Sequence, residues 1–226
     1  MHTLESLLAN HPIFASLEES EQASLCSLAN TRHYRKGEFI VQQGDNWPYL
    51  FLLGDGKINA NKVSVEGRNL IVTGLESGDV FWGLAFFLDD MPMPVSLEAV
   101  GASHIYLWER SEILPFLLKH GQITWELSRL MVRRMALASE IIETLAFQPV
   151  AGRLARFLVE ISPADNSPVA RNLTLDEMAA RVGSTREVVC RFLQRFANNG
   201  MIDITRTEFV INDPEALKAL AQQGKG

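Results

Sequence analysis

Residues 173–202 read LTLDEMAARVGSTREVVCRFLQRFANNGMI, and no other stretch restricts the fold as much. Two short amphipathic segments meet at Val182-Gly183. Thr174 followed by Glu177 forms a capping box that starts a helix, and Leu175, Met178, Ala179 and Val182 recur behind it at helical spacing. Gly183 supplies the freedom in φ that a tight turn requires. Ser184 with Glu187 reads as a second capping box, opening a helix over 184–199 whose buried stripe is Val188, Val189, Phe192, Leu193 and Phe196. Arg186, Glu187, Cys190, Arg191 and Gln194 are left facing outward. This is the layout of a helix-turn-helix. Arginine can donate two hydrogen bonds to guanine and a carboxylate can accept one from cytosine, so the exposed face has the chemistry to read base edges in a major groove. Ser184 and Thr185 at the helix start complete the set expected against DNA. Met201–Ile204 and Glu208–Ile211 are short β-type runs around Thr205-Arg206-Thr207, a hairpin that would make the unit winged. Arg206 at its tip either touches phosphate or is simply solvated.

A net charge of −6 conflicts with nucleic-acid binding until it is divided by position. Residues 1–147 hold 11 Lys/Arg against 18 Asp/Glu, whereas residues 148–226 hold 10 against 9. Within 181–206 five arginines face two acids, a local charge of +3 on the unit expected to meet phosphates. The acidic front discourages indiscriminate binding along DNA. Hydrophobic residues make up 47%, enough for packed cores, yet the apolar runs fall far short of the ~20 residues that span a bilayer. The start, MHTLESLLANHP, lacks the basic and apolar regions of a signal peptide, so the expected location is the cytoplasm, with no membrane contact. Cys26 and Cys190 are the only cysteines, which leaves neither a disulfide framework nor ligands for an iron-sulfur cluster within one chain.

The chain divides into three parts. After a helical stretch over Leu4–Ala29, residues 32–110 become short β-type runs punctuated by Gly44-Asp45, Gly54-Asp55-Gly56, Glu66-Gly67-Arg68 and Gly78-Asp79. Turns every 8–12 residues suggest a β-sandwich or β-roll. Ile123–Phe147 then offers 25 residues without proline or glycine, nearly seven helical turns. Leu127, Leu130, Leu137 and Ile141 recur along it, or in a second phase Leu127, Met131, Ala138, Ile141 and Leu145, with Arg134 in the seam under both. A repeat of this kind suggests a two-stranded coiled coil and a homodimer. The expected architecture is α+β: a β-roll (a double-stranded β-helix or jelly roll) over 1–122, a dimerisation helix over 123–147, and a winged helix-turn-helix over 148–226. The polar stretch Ser162–Arg171 reads as a surface loop, a connection or a contact for RNA polymerase.

This order of parts resembles the family of the cyclic-AMP receptor protein and the fumarate-nitrate-reduction regulator over essentially the whole chain. Pro12-Ile13-Phe14 with Leu17, Tyr34-Arg35-Lys36-Gly37-Glu38 and Gln43-Gly44-Asp45 look like the entry into that family's β-roll. Leu52–Lys57 looks like its glycine hairpin. Leu145-Ala146-Phe147 and Gly152-Arg153-Leu154-Ala155 resemble its passage from dimer helix to DNA domain, and Arg186-Glu187-x-Val189-x-Arg191 its recognition motif. The resemblance implies a homodimeric transcription regulator whose sensory domain shifts the DNA domains through the long helix.

The departures bear on the effector. Nucleotide-binding members carry F-G-E-L and then R-S-A, which hold the cyclic phosphate. Here the segment reads Val80-Phe81-Trp82-Gly83-Leu84-Ala85-Phe86-Phe87, then Met91-Pro92-Met93-Pro94-Val95. Gly83 stands at the glutamate position, Met93 at the arginine position, and Pro94, which lacks an N–H, at the serine position. On the long helix the hydroxyl pair that meets the base becomes Ala138-Ser139. Cyclic AMP is therefore not expected. Trp82, Gly83, Leu84, Met93, Val95, Ala138 and Ser139 form either packed core or a pocket for an apolar effector. Haem in a sensing role stays open, with His2, His11, His33, His104 and His120 as the available imidazoles and Met91, Met93 and Cys26 as softer ligands, although none forms an H-x-H or H-x-x-x-H pair. No nucleophile, phosphate-cradling loop or carboxylate pair suggests an enzyme.

Overall fold

The computed structural model describes residues 3–163, 167–170, 173–205 and 208–222, which form two compact units. The first comprises residues 1–63 and 72–136, the second residues 64–71 and 137–226.

The first unit begins with α1 (Leu4–Asn10) and α2 (Glu19–Ser27). The expected single helical stretch is thus two helices, parted by turns around Pro12, where Phe14 and Ala15 close backbone bonds on His11. Eight strands follow: β1 (Asn30–Tyr34), β2 (Phe39–Val41), β3 (Tyr49–Asp55), β4 (Lys57–Val63), β5 (Asn69–Glu76), β6 (Val80–Trp82), β7 (Ser96–Ala99) and β8 (Ser103–Glu109). They pair into two four-stranded sheets, β1-β8-β3-β6 and β2-β7-β4-β5, with every registered pair antiparallel.

Strand alternation explains why β3 reads as an unbroken apolar run. Leu50 and Leu52 point to a core shared with Leu8, Phe14, Leu25, Ile113 and Ile123 of the helical layer. Phe51 and Leu53 point to the core between the sheets, with Ile58, Leu97, Ile105 and Leu107. β8 does the same through Tyr106 and Trp108 on one face and Ile105 and Leu107 on the other. A strand covered on both faces needs no polar positions. Trp108, fully buried, donates its Nε1–H to the Leu25 carbonyl at 2.8 Å and so ties α2 to the sheet.

α3 (Arg110–Lys119) leads into α4 (Gly121–Phe147), which starts two residues before the expected Ile123. In the second unit α5 (Val150–Ile161), α6 (Leu175–Val182), α7 (Arg186–Asn198) and α8 (Pro214–Gln222) surround a core of Leu154, Leu158, Met178, Val189, Leu193, Phe196, Phe209 and Leu217. The wing is β10 (Ile202–Ile204) and β11 (Glu208–Ile211), joined by β9 (Val169–Ala170) on the far edge. The stretch Ser162–Arg171 is therefore not all loop: Val169 pairs with Phe209 and is buried in the second core, because an apolar residue there completes the wing sheet.

Candidate nucleic-acid interface and sensory segment

The first capping box forms as the residues suggest. Thr174 Oγ1 accepts from the Glu177 N–H at 3.1 Å, and the Glu177 carboxylate accepts from the Thr174 N–H at 2.7 Å. α6 ends at Gly183, whose φ of 63° and ψ of 50° lie in the left-handed region that favours glycine. An arginine from α5 holds this turn. Arg153 donates Nε to the Val182 carbonyl at 2.7 Å, Nη2 to the Gly183 carbonyl at 3.1 Å and Nη1 to the Gln148 carbonyl at 2.6 Å. A cation at a helix C-terminus meets the negative end of its dipole. The sequence offered Arg153 only within a resemblance; its role as a turn clamp was hidden because its partners are backbone carbonyls, which leave no trace in composition.

The second cap differs from expectation. Thr185, not Ser184, is the N-cap of α7, its hydroxyl accepting from the Val188 N–H at 3.4 Å. The Ser184 N–H still closes on the Ala179 carbonyl at 2.9 Å, so Ser184 belongs to the turn and the helix starts later than 184. Glu187 sits in the first turn, where its own backbone N–H and the Thr185 hydroxyl hold its carboxyl below the usual carboxylate range. Arg186, Glu187, Arg191 and Gln194 are exposed, Cys190 is half-buried, and together with Leu175 they line one shallow surface cleft. The structure thus brings five outward residues of the second helix to one face. Arg206 lies outside the described residues.

The β-roll residues around Gly83 are packed, although Phe87, Met91 and Pro94 are exposed. An ideal Cβ at Gly83 would stand 1.9 Å from the Trp47 carbonyl oxygen, so no side chain fits there without moving backbone. Met93 and Val95 are buried in the core between the sheets, Trp82 is buried on the helical side, and Leu84 is half-buried in a short 3₁₀ turn, Leu84–Phe86. Arg134 of α4 closes over this segment. Its guanidinium lies 4.5 Å from the Trp82 ring centroid and 4.9 Å from that of Phe81, and it donates to the Val80 carbonyl. Burial lowers its pKa to about 10, partly offset by the charge of Asp79. Arg134 therefore packs on its own β-roll. Ala138 and Ser139 are exposed on α4 in the second unit.

The residues expected to line a seam on α4 lie in different surroundings. Leu127 is in the helical-layer core and Leu130 packs against it, because both lie on the face that covers the first sheet. Leu137 is exposed and Ile141 half-buried. A different stripe, Val132, Met135 and Ile142, is 60–69% exposed. Its spacing of three and seven residues is legible in the sequence.

The imidazoles have separate tasks. His11 accepts from the Ile13 N–H on Nδ1 at 3.1 Å and faces the Gly78 carbonyl with Nε2 at 2.9 Å, which puts its proton on Nε2. Burial lowers its pKa. His104 is buried opposite His33, ring centroids 5.6 Å apart. His120 lies 3.5 Å from Glu21, and His2 lies outside the described residues. Met91 is exposed, Met93 buried and Cys26 half-buried. Among the described residues no three His, Cys, Asp or Glu side chains converge on a metal-sized site, and no helix is long and apolar enough to cross a membrane.

Two family patterns match this chain: a cyclic nucleotide-binding domain over residues 31–120 and a Crp-like helix-turn-helix domain over 152–220. It is 25% identical over 225 residues to a CRP-like cAMP-activated global transcriptional regulator of Mycobacterium tuberculosis, covering 97% of this chain and 100% of that one. It is 25% identical over 210 residues to the cyclic AMP receptor protein of Thermus thermophilus, covering 93% and 96%. A solved crp/fnr-family structure from Eubacterium rectale superposes with a TM-score of 0.79 at 22% identity, over 94% of this chain and 98% of that one. Two matched domains in this order, over the β-roll and the helix-turn-helix described above, show that the chain belongs to the Crp/Fnr family of transcription regulators.

Proposed function

We propose that this regulator acts as a homodimer on a palindromic operator, that α7 reads each half-site, and that its effector is not a cyclic nucleotide. The observation that carries the reading is the exposed face of α7, where Arg186 and Arg191 stand beside Glu187 on a helix clamped at its entry by Arg153. Arg186 and Arg191 would donate to guanines and Glu187 accept from cytosine, although the hydrogen bonds that Glu187 makes at the helix start weaken its claim. The exposed Val132, Met135 and Ile142 favour that face of α4 as the dimer seam. A regulator of this kind works in the cytoplasm, where double-stranded DNA and RNA polymerase are its partners.

For the effector, Gly83, Met93 and Pro94 offer a cyclic phosphate neither charge nor a full set of N–H donors, and burying an anion without partners costs several kcal/mol. Selection from a random duplex library tests the reading. The expected site is a palindrome of TGTGA-like half-sites about 34 Å apart. Arg186→Ala should cost about 1–3 kcal/mol on that site and relax preference at one base pair. Equal loss on specific and random DNA would reduce Arg186 to a phosphate contact. Calorimetric titration should show no micromolar binding of cyclic AMP or cyclic GMP.

A further inference from the structure

α6 carries two acids in its first turn, Asp176 and Glu177, beside the surface assigned to DNA. Glu177 is consumed by the capping box with Thr174. Asp176 has no part in that cap. It reaches across the turn to Arg186 on α7, with Oδ2 3.3 Å from Nη1, and both side chains are more than 60% exposed. A lone anion facing phosphates repels them, so an unpaired acid here would only weaken binding. Pairing changes this. The contact engages one guanidinium nitrogen and leaves the other N–H donors of the planar fork free, and such a fork recognises guanine by geometry as well as charge. The two helices that set the separation are fixed by Gly183 and by the Arg153 bonds to the Val182 and Gly183 carbonyls.

We infer that Asp176 is a positioning residue for specificity: it orients Arg186 toward its guanine and raises discrimination at that base pair while lowering affinity for DNA of random sequence. An exposed ion pair contributes little in water, but displacement of water by DNA strengthens it at the moment of reading. The inference rests on the proposed reading role of Arg186.

The test uses the full-length protein and four duplexes: the selected operator, the operator with the Arg186 guanine pair replaced by A·T, and two random sequences. Asp176→Asn should bind random DNA about threefold more tightly, from one fewer repelling charge. It should also lose severalfold in preference for the guanine pair over A·T, while Asp176→Glu should recover part of that preference. A merely structural role would move the melting temperature and leave the preference ratio unchanged. If Asp176→Asn raises affinity for all four duplexes by one common factor, Asp176 is only a repelling charge and the inference falls. If Arg186→Ala itself leaves the guanine preference intact, the reading role of Arg186 falls first. The two failures are read from different variants.

Discussion

The helix-turn-helix carries its charged side chains on the outside, whereas Trp82, Gly83, Met93 and Val95 of the β-roll are packed into its core. Arg186, Glu187 and Arg191 stand exposed on α7. In the β-roll Gly83 and Met93 are buried, with Trp47 against one and the inter-sheet core around the other. An exposed reading residue needs only its identity and a rigid helix. A core position is set instead by the close packing of its neighbours.

Glycines give the sharpest break between the two regions. Gly83→Ala should be strongly destabilising, about 3 kcal/mol, because its Cβ meets the Trp47 carbonyl at 1.9 Å. Gly183→Ala should cost about 1–2 kcal/mol through its positive φ, since its Cβ would meet only the movable tip of the Leu145 side chain, at 2.6 Å, and no backbone. Thermal unfolding of both variants checks this, and equal losses would erase the distinction between a space-limited and a conformation-limited glycine.

Two half-buried arginines form the next contrast. Arg153→Met strands three carbonyls, those of Gln148, Val182 and Gly183, and should cost about 2–3 kcal/mol together with tight operator binding. Arg134→Met gives up one carbonyl bond and two ring contacts but also relieves a buried charge, so its cost should stay below about 1 kcal/mol. Denaturant unfolding and gel-shift titration measure both. A larger loss for Arg134→Met would show that the cation over Trp82 holds the first unit together.

The smallest effect is set by pH and belongs to the first unit, since all five histidines precede residue 121. His11 and His104 are held below the ordinary histidine pKa of 6.5, in both cases chiefly by burial. The unfolded chain therefore binds more protons as pH falls below 6.5, so their stabilisation is complete above that value and is lost through the lower folded values. Protonating Nδ1 of His11 also removes the acceptor of the Ile13 N–H. All four tryptophans, at 47, 82, 108 and 125, lie in the first unit, so fluorescence-monitored unfolding between pH 6.5 and about 5 reads this unit alone. His11→Gln should flatten the slope. An unchanged slope would assign it to His104.

The helix-turn-helix was legible because its signals are local. Capping at Thr174, the turn at Gly183 and the apolar stripe through Val189, Leu193 and Phe196 each lie within a few residues of one another. The β-roll was legible as a class, from turn glycines and β-type runs. The faces of α4 were not. Leu127 and Leu130 satisfy a coiled-coil repeat and a core-facing stripe equally well, and only tertiary packing shows Leu127 buried in the helical-layer core with Leu130 against it.

By itself the sequence determined the order of the parts and the winged helix-turn-helix with its outward arginines. These follow from residue type and short spacing. Tertiary structure alone decided that the Trp47 carbonyl fills the space at Gly83, that Arg134 turns onto Phe81 and Trp82, that Arg153 clamps the turn, and that Asp176 meets Arg186. Each of these joins chain segments from different elements, and each was decided by backbone atoms or side-chain direction, which no local pattern specifies.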